Sequence, residues 1–406
     1  MFVDRIDRTR RAMREQGVDV TLLSVGLDMP YLTGYHAMPL ERLTMLVLPV
    51  DGDATLVVPR LEAPRVNHLP DVFALVPWGE IEDPVAITAD LVKKSSSGKT
   101  LAIGDTMWAR FLVDLMPMLP GSTYRRAVDV LGPIRMRKDA AEISALKAAG
   151  AAADRVAAQL HGGEIHMVGR TEAQVSADIS ARLLAEGHDV VNFAIVAAGE
   201  NAASPHHHPG SRVIRRGEIV LCDFGGTMNG YCSDITRCVH LGPVPADIAE
   251  AYAVLKEAEA AGVRAATVGT PCEDVDRAAR SIIDYAGFGE YFIHRTGHGI
   301  GMDAHEDPYM VSGNTLPLEA GHAFSVEPGI YVAGKWGMRL EDIVVATIDG
   351  PDSMNHANHD LVVLDVRRFR FPRFNRVTHS SRMNVRNEWS RWSVSGWWPC
   401  GRCGER

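Results

Sequence analysis

Hydrophobic and polar positions divide the chain into charged or alanine-rich stretches that read as helices and short apolar runs that read as strands. A helix is predicted over residues 4–16 and stops at Gly17, because glycine most readily takes the left-handed conformation past a helix end. Apolar runs at 18–25, 44–50 and 54–59 follow as strands. A crossover is expected over residues 131–139, leading into an alanine-rich helix at 140–160. Thr171 and Gln174 have the spacing of a capping box at a helix start. So do Thr270 and Glu273, with Pro271 at the first helical position. A further helix is predicted over 245–266. No short-period repeat is present, and the alanine-rich helices read as core packing rather than as a partner surface.

Two apolar strands are predicted at 218–226 and 231–241, with Asn229-Gly230 between them. That pair is a strong hairpin signal because both residues tolerate positive φ. In this register Gly225 faces Asp234, and Asp223 lies two residues along on the same side of the ribbon, so the two carboxylates are diagonal neighbours. Two unrelated surface aspartates would be the duller explanation. Against it, Asp223 follows the apolar run Ile219 to Cys222, where an unpaired carboxylate is costly.

Three further residues complete the pattern. His298 stands in Thr296-Gly297-His298-Gly299-Ile300-Gly301, Glu327 in Ser325-Val326-Glu327-Pro328-Gly329, and Glu341 in Arg339-Leu340-Glu341-Asp342. Together with Asp223 and Asp234 they carry a formal charge of about −4, which two divalent cations would cancel. Hard oxygen donors with a single nitrogen favour Mn, Co or Zn over copper or an iron–sulfur cluster. Two metals sharing a water make a hydrolase.

These residues resemble the pita-bread metallopeptidases, the methionine aminopeptidase/prolidase superfamily, in the branch of Xaa-Pro dipeptidases (prolidases) and Xaa-Pro aminopeptidases. The resemblance covers about residues 1–365 and is closest in the run from His294 to Pro308, where only Ala304 departs, standing where a β-branched residue is more usual. It implies an α+β fold, with a creatinase-like α/β domain at 1–132 and a pita-bread catalytic domain at 133–365. It also implies that Asp223, Asp234, His298, Glu327 and Glu341 are the metal ligands, that Asp234 and Glu341 bridge, and that Glu327 positions an attacking hydroxide and accepts its proton. His206, seventeen residues before the first ligand, matches a proton-shuttling histidine. His294 and His305 match histidines that touch the substrate and the developing oxyanion, and Arg339 matches a basic residue that orients the carboxylates. His207 and His208 read as ordinary polar loop residues. The segment Tyr31 to Tyr35 resembles an element near the active-site entrance.

The activity so implied is hydrolysis of the bond before proline in a small peptide with proline second, with an Xaa-Pro dipeptidase preferred to an aminopeptidase and a homodimer expected. A metal-free creatinase-like hydrolase and a non-catalytic binding module are disfavoured by the complete ligand set. A methionine aminopeptidase is disfavoured by the N-terminal domain and the 294–308 run.

Composition agrees with this reading. At 46% hydrophobic residues no apolar run reaches the ~18 residues of a membrane span. The mixed-charge N-terminus has no signal-peptide core, so a cytoplasmic protein is expected. Cys222, Cys232, Cys238 and Cys272 fit reduced, packed thiols. From Val366 onward ten arginines meet two acids, so the net charge of −9 divides into +8 for this tail and −17 for the body. Basic residues with interleaved tryptophans suit nucleic acid or an acidic membrane, and Cys400 with Cys403 suits half a zinc site. The preferred reading is nevertheless an atypical extension at 366–406, of the kind a reading-frame change produces, with neither nucleic acid nor membrane as partner.

Overall fold

The computed structural model describes residues 1–95 and 100–364, which belong to one compact unit. The Arg- and Trp-rich tail, with Cys400 and Cys403, lies outside the described residues.

The N-terminal part is a six-stranded mixed sheet between helices. Its spatial order is Ala74–Trp78, Thr55–Pro59, Met45–Pro49, Val20–Leu23, Thr100–Ile103 and Thr123–Arg126. Alternation along the central strands supplies both faces. Leu46 and Leu48 pack with Ile6, Met13, Val130 and Leu131 on one side, while Met45 and Val47 pack with Val85, Val92 and Phe111 on the other. The first helix runs Phe2–Gln16 and ends at Gly17 with φ 65°. The three apolar runs are the strands Val20–Leu23, Met45–Pro49 and Thr55–Pro59.

The expected crossover is instead a helix, Val128–Met136, with Pro133 inside it. Gly132-Pro133 reads as a break, since proline removes the N–H that would bond the carbonyl four residues back. Here the Asp129 carbonyl accepts from Gln16 Nε2 at 2.8 Å instead.

The C-terminal part holds two larger antiparallel-centred sheets flanked by helices, and a two-stranded ribbon, Gly329–Val332 with Trp336–Arg339. One larger sheet runs Val362–Val363, Ile235–His240, Ile219–Met228 and Val190–Ala198, with Tyr231–Cys232 added beside Ile219–Met228. The other runs Glu306–Met310, Gly297–Gly299, Ala323–Val326, Asp342–Thr347 and Gly350–Ser353. A bridge between Thr236 and Glu341 joins the first sheet to the segment that enters the strand Asp342–Thr347. Helices Ala140–His161 and Glu172–Ala185 cover the first sheet through Val156, Leu160, Val175 and Ile179. Ala246–Ala265 contributes Leu255 and Ala258, and Cys272–Tyr285 contributes Ala279 and Ile283, to a second core.

Thr171 forms the expected capping box with Gln174. Thr270 does not form one. The helix begins at Cys272 with extended Pro271 as its N-cap; the Thr270 hydroxyl meets Thr267 at 2.9 Å, and Glu273 accepts from the Gly313 N–H at 3.0 Å. The TPxE spacing was right for a cap, but the loop 311–316 lies close enough to take the glutamate. The four cysteines in the described body are free and buried. No helix among the described residues is long and apolar enough to cross a membrane.

Candidate metal centre

The hairpin forms in the register read from the sequence. Thr227 pairs Cys232, Met228 pairs Tyr231 and Ile235 pairs Phe224, around a turn with Asn229 at φ 52° and Gly230 at φ 81°. Asp223 and Asp234 are thereby both buried on the ribbon. His298 lies on the short strand Gly297–Gly299, where glycines on both sides are required. A Cβ on Gly297 would collide with the Ser325 carbonyl, and one on Gly299 with the Asp307 carbonyl. The same Ser325 donates its hydroxyl to Glu327 Oε1 at 3.1 Å and accepts the His298 N–H at 3.0 Å.

The five predicted ligands converge on one cavity of about 700 Å³, together with His206, His294, His305 and Arg339. His298 Nε2 lies 3.3 Å from Glu327 Oε1 and 3.9 Å from Asp234 Oδ2. Asp223, Asp234 and Glu341 bring ligand atoms within 4.8 Å of one another, and so do His298, Glu327 and Glu341. Glu341 is common to both groups. Asp234 also groups with His298 and His305. Such overlap is what two adjacent cations need from shared carboxylates.

The donor set fits that occupancy. Asp223 Oδ1 and Asp234 Oδ1 are buried and have no hydrogen-bond partner, an expensive arrangement for carboxylates unless something else binds them. Burial, then the neighbouring carboxylates, pushes the Asp234 and Glu341 carboxyls well above the usual range. Burial lowers the His298 imidazole to about 4, and its Nδ1 faces the Gly299 carbonyl at 3.1 Å, leaving neutral Nε2 turned to the carboxylates.

Arg339 is the internal counter-charge. Its guanidinium donates to Asp223 Oδ2, to Thr236 Oγ1 at 3.0 Å and to the Tyr331 hydroxyl at 2.9 Å. Thr236 in turn donates to Glu341 Oε2 at 2.6 Å. Burial opposes the Arg339 charge, but Tyr331, Asp223, Glu341 and Glu327 outweigh it. His294 Nε2 meets the same Tyr331 hydroxyl at 2.9 Å, and its Nδ1 meets the Arg295 carbonyl at 2.7 Å. Burial lowers the His294 pKa, so this ring is a neutral link in the wall. His305 stands exposed at the rim with its ring centroid 3.9 Å from that of His298. His206 lines the same cavity with Ser204 and Pro205.

Several contributors were not visible in the sequence. Thr236 links Arg339 to Glu341, and Tyr331 links it to His294. Asp276 accepts from the Thr296 N–H and hydroxyl, and Arg280 donates to the Phe292 and His294 carbonyls, so one helix fixes the segment leading to His298. Arg135 pairs with Asp28, Asp303 and Glu306, bracing the loop that carries His305 against the N-terminal part. Phe193, Ile195 and Ile293 supply an apolar wall. Tyr31 to Tyr35, by contrast, line no part of this cavity; Tyr31 is buried beneath the Arg5 guanidinium.

His207 is more than a polar loop residue. Its Nε2 bonds Glu172 Oε2 at 2.9 Å, and Glu172 is fully buried and also accepts from Ala198 N–H and Asn201. Removing the imidazole strips a buried carboxylate of a partner, at a cost of about 1–3 kcal/mol. We expect His207→Ala to lower the denaturant midpoint and, by loosening the loop, to slow turnover; an unchanged midpoint would show that the contact contributes nothing.

The family model described as Metallopeptidase family M24 matches residues 144–347, and that described as Creatinase/Prolidase N-terminal domain matches residues 5–137. The chain belongs to metallopeptidase family M24. It is 41% identical to a probable dipeptidase, PepE, of Mycobacterium tuberculosis over 90% of this chain and 97% of that protein. An Xaa-Pro dipeptidase of Lactobacillus helveticus is 36% identical over 89% of this chain and 99% of its own length. Among solved structures, the dipeptidase PepE from Mycobacterium ulcerans superposes with a TM-score of 0.84 at 43% identity, covering 90% of this chain and 98% of that one. The M24 chain is thus a metal-dependent peptidase with the α+β pita-bread architecture behind a creatinase-type N-terminal domain.

Proposed function

We propose that this M24 peptidase is an Xaa-Pro dipeptidase, releasing proline from a dipeptide whose free carboxylate it recognises. The observation that carries the reading is Arg295. It lines the catalytic cavity with its guanidinium 4.2 Å above the Tyr309 ring, and no carboxylate among the described residues pairs with it. Arg339, the other arginine of the cavity, is already committed to Asp223, Thr236 and Tyr331. A cation held on an aromatic face beside the metal ligands suits the terminal carboxylate of a short substrate. Phe193, Ile195 and Ile293 offer an apolar surface for the prolyl ring.

Asp223, Asp234, His298, Glu327 and Glu341 would hold two divalent cations, which when bound would supply Lewis acidity and bring the pKa of water towards neutrality. Glu327, whose Oε1 is fixed by Ser325, is placed to take the proton of the attacking water. His305 donates to the carbonyl oxygen as charge develops there, and His206 carries a proton towards the prolyl nitrogen, which leaves only once protonated. Neutral His294 holds Tyr331, and through it Arg339, in place. Mn²⁺ is the proposed metal, from the hardness of the four carboxylates, with Co²⁺ or Zn²⁺ as substitutes. A homodimer and a cytoplasmic location, with no nucleic-acid or membrane partner, complete the reading.

The alternative, an Xaa-Pro aminopeptidase, requires open space beyond proline. Comparing Ala-Pro with Ala-Pro-Ala separates the two. The dipeptide alone should be cleaved, and faster cleavage of the tripeptide would replace the dipeptidase reading with the aminopeptidase.

A further inference from the structure

Away from the catalytic cavity a second group of metal-ligand residues meets at the start of the strand that follows Glu341. Glu259 projects from helix Ala246–Ala265, Asp342 opens the strand Asp342–Thr347, and His359 lies in the loop after Gly350–Ser353. Each offers a ligand atom within 4.8 Å of the others. They line a separate cavity of about 290 Å³ with Val263 and Ser353.

The partners are unequally satisfied. Asp342 Oδ1 accepts from Arg237 at 2.7 Å, and its Oδ2 meets His359 Nε2 at 2.6 Å. Glu259 is 4% exposed and makes no hydrogen bond or ion pair among the described residues, though it lines this cavity. No cation among the described residues pairs with it directly, since Lys256 pairs with Asp360 and Arg264 with Glu257, and His359, Arg237 and Arg264 act on it only without contact. A carboxylate so buried costs several kcal/mol unless it is compensated. Burial, then Asp342, pushes its carboxyl up to about 7.

We propose that Glu259, Asp342 and His359 form a divalent-cation site distinct from the catalytic pair. One imidazole and two carboxylates with an open fourth direction into a cavity suit zinc, which would replace the proton His359 Nε2 shares with Asp342 and release it to solvent. The cation would give Glu259 the partner it lacks. Arg237, which holds Asp342 and also donates to the Glu341 carbonyl at 2.7 Å, ties this site to the back of the catalytic strand.

The test is metal counting on the full chain. Protein equilibrated with Zn²⁺ and passed through a desalting column should retain a third equivalent beyond the catalytic two, read by elemental analysis. Glu259→Gln and His359→Gln should each lose that third equivalent while keeping the other two and the basal peptidase rate. Glutamine preserves shape and satisfies its own hydrogen bonds, and with two independent variants the loss of one to misfolding leaves the other. Two equivalents in the wild type, or a third retained in both variants, would overturn the proposal. Because the readout is stoichiometry, it stands apart from which peptide is cleaved.

Discussion

Asp234→Ala should bind fewer than two equivalents of Mn²⁺ and lose turnover by about 1,000-fold or more, the scale seen when one member of a catalytic unit is removed. Glu341→Ala should behave alike. Glu341 groups with Asp223 and Asp234 on one side and with His298 and Glu327 on the other, and Asp234 reaches both Asp223 and, at 3.9 Å, His298, so losing either removes a donor that faces both halves of the site. The effect is also specific in kind. Asp234 Oδ1 has no hydrogen-bond partner, so its removal spares the protein's own hydrogen bonding at that atom. Thermal stability without metal should therefore hold or rise in Asp234→Ala, because a crowded carboxylate has gone. Elemental analysis beside the melting temperature checks both halves. Full metal occupancy with near-normal turnover would remove the dinuclear account.

Arg295→Ala should raise KM for Ala-Pro by about 10- to 100-fold, since a charge-assisted contact contributes about 1.5–3 kcal/mol. The substitution leaves every hydrogen bond of Arg339 in place, and the Arg295 carbonyl that faces His294 is backbone. For Ala-Pro-amide, which lacks the carboxylate, wild type and variant should differ little. An equal loss on both substrates would assign Arg295 to packing against Tyr309 instead.

The candidate ligands Asp223, Asp234 and His298 were legible because each sits in a short segment whose backbone is dictated locally. Asn229-Gly230 sets the hairpin register, and a period of two then places Asp223 and Asp234 on one side. Gly297 and Gly299 mark close backbone approach around His298. The network around them was not legible, because its partners are joined only by the fold. Thr236 and Glu341 are 105 residues apart, Asp276 and Thr296 twenty, and Glu172 and His207 thirty-five. Nothing near His207 in sequence announces that a buried glutamate from another element needs it. The helix at Val128–Met136 was hidden for a related reason: Gly132-Pro133 is a break by local rules, and the Gln16 side chain that satisfies the freed carbonyl comes from the first helix. Thr270 illustrates the reverse error, a local cap signal overridden by a neighbouring loop that takes Glu273.

Proline release from Ala-Pro as Mn²⁺ is added back to metal-stripped wild-type protein tests a two-cation peptidase for Xaa-Pro dipeptides. Release should be negligible without metal and rise until it saturates at two equivalents per chain. Release that is independent of metal, or no release from Ala-Pro at full loading, would contradict it.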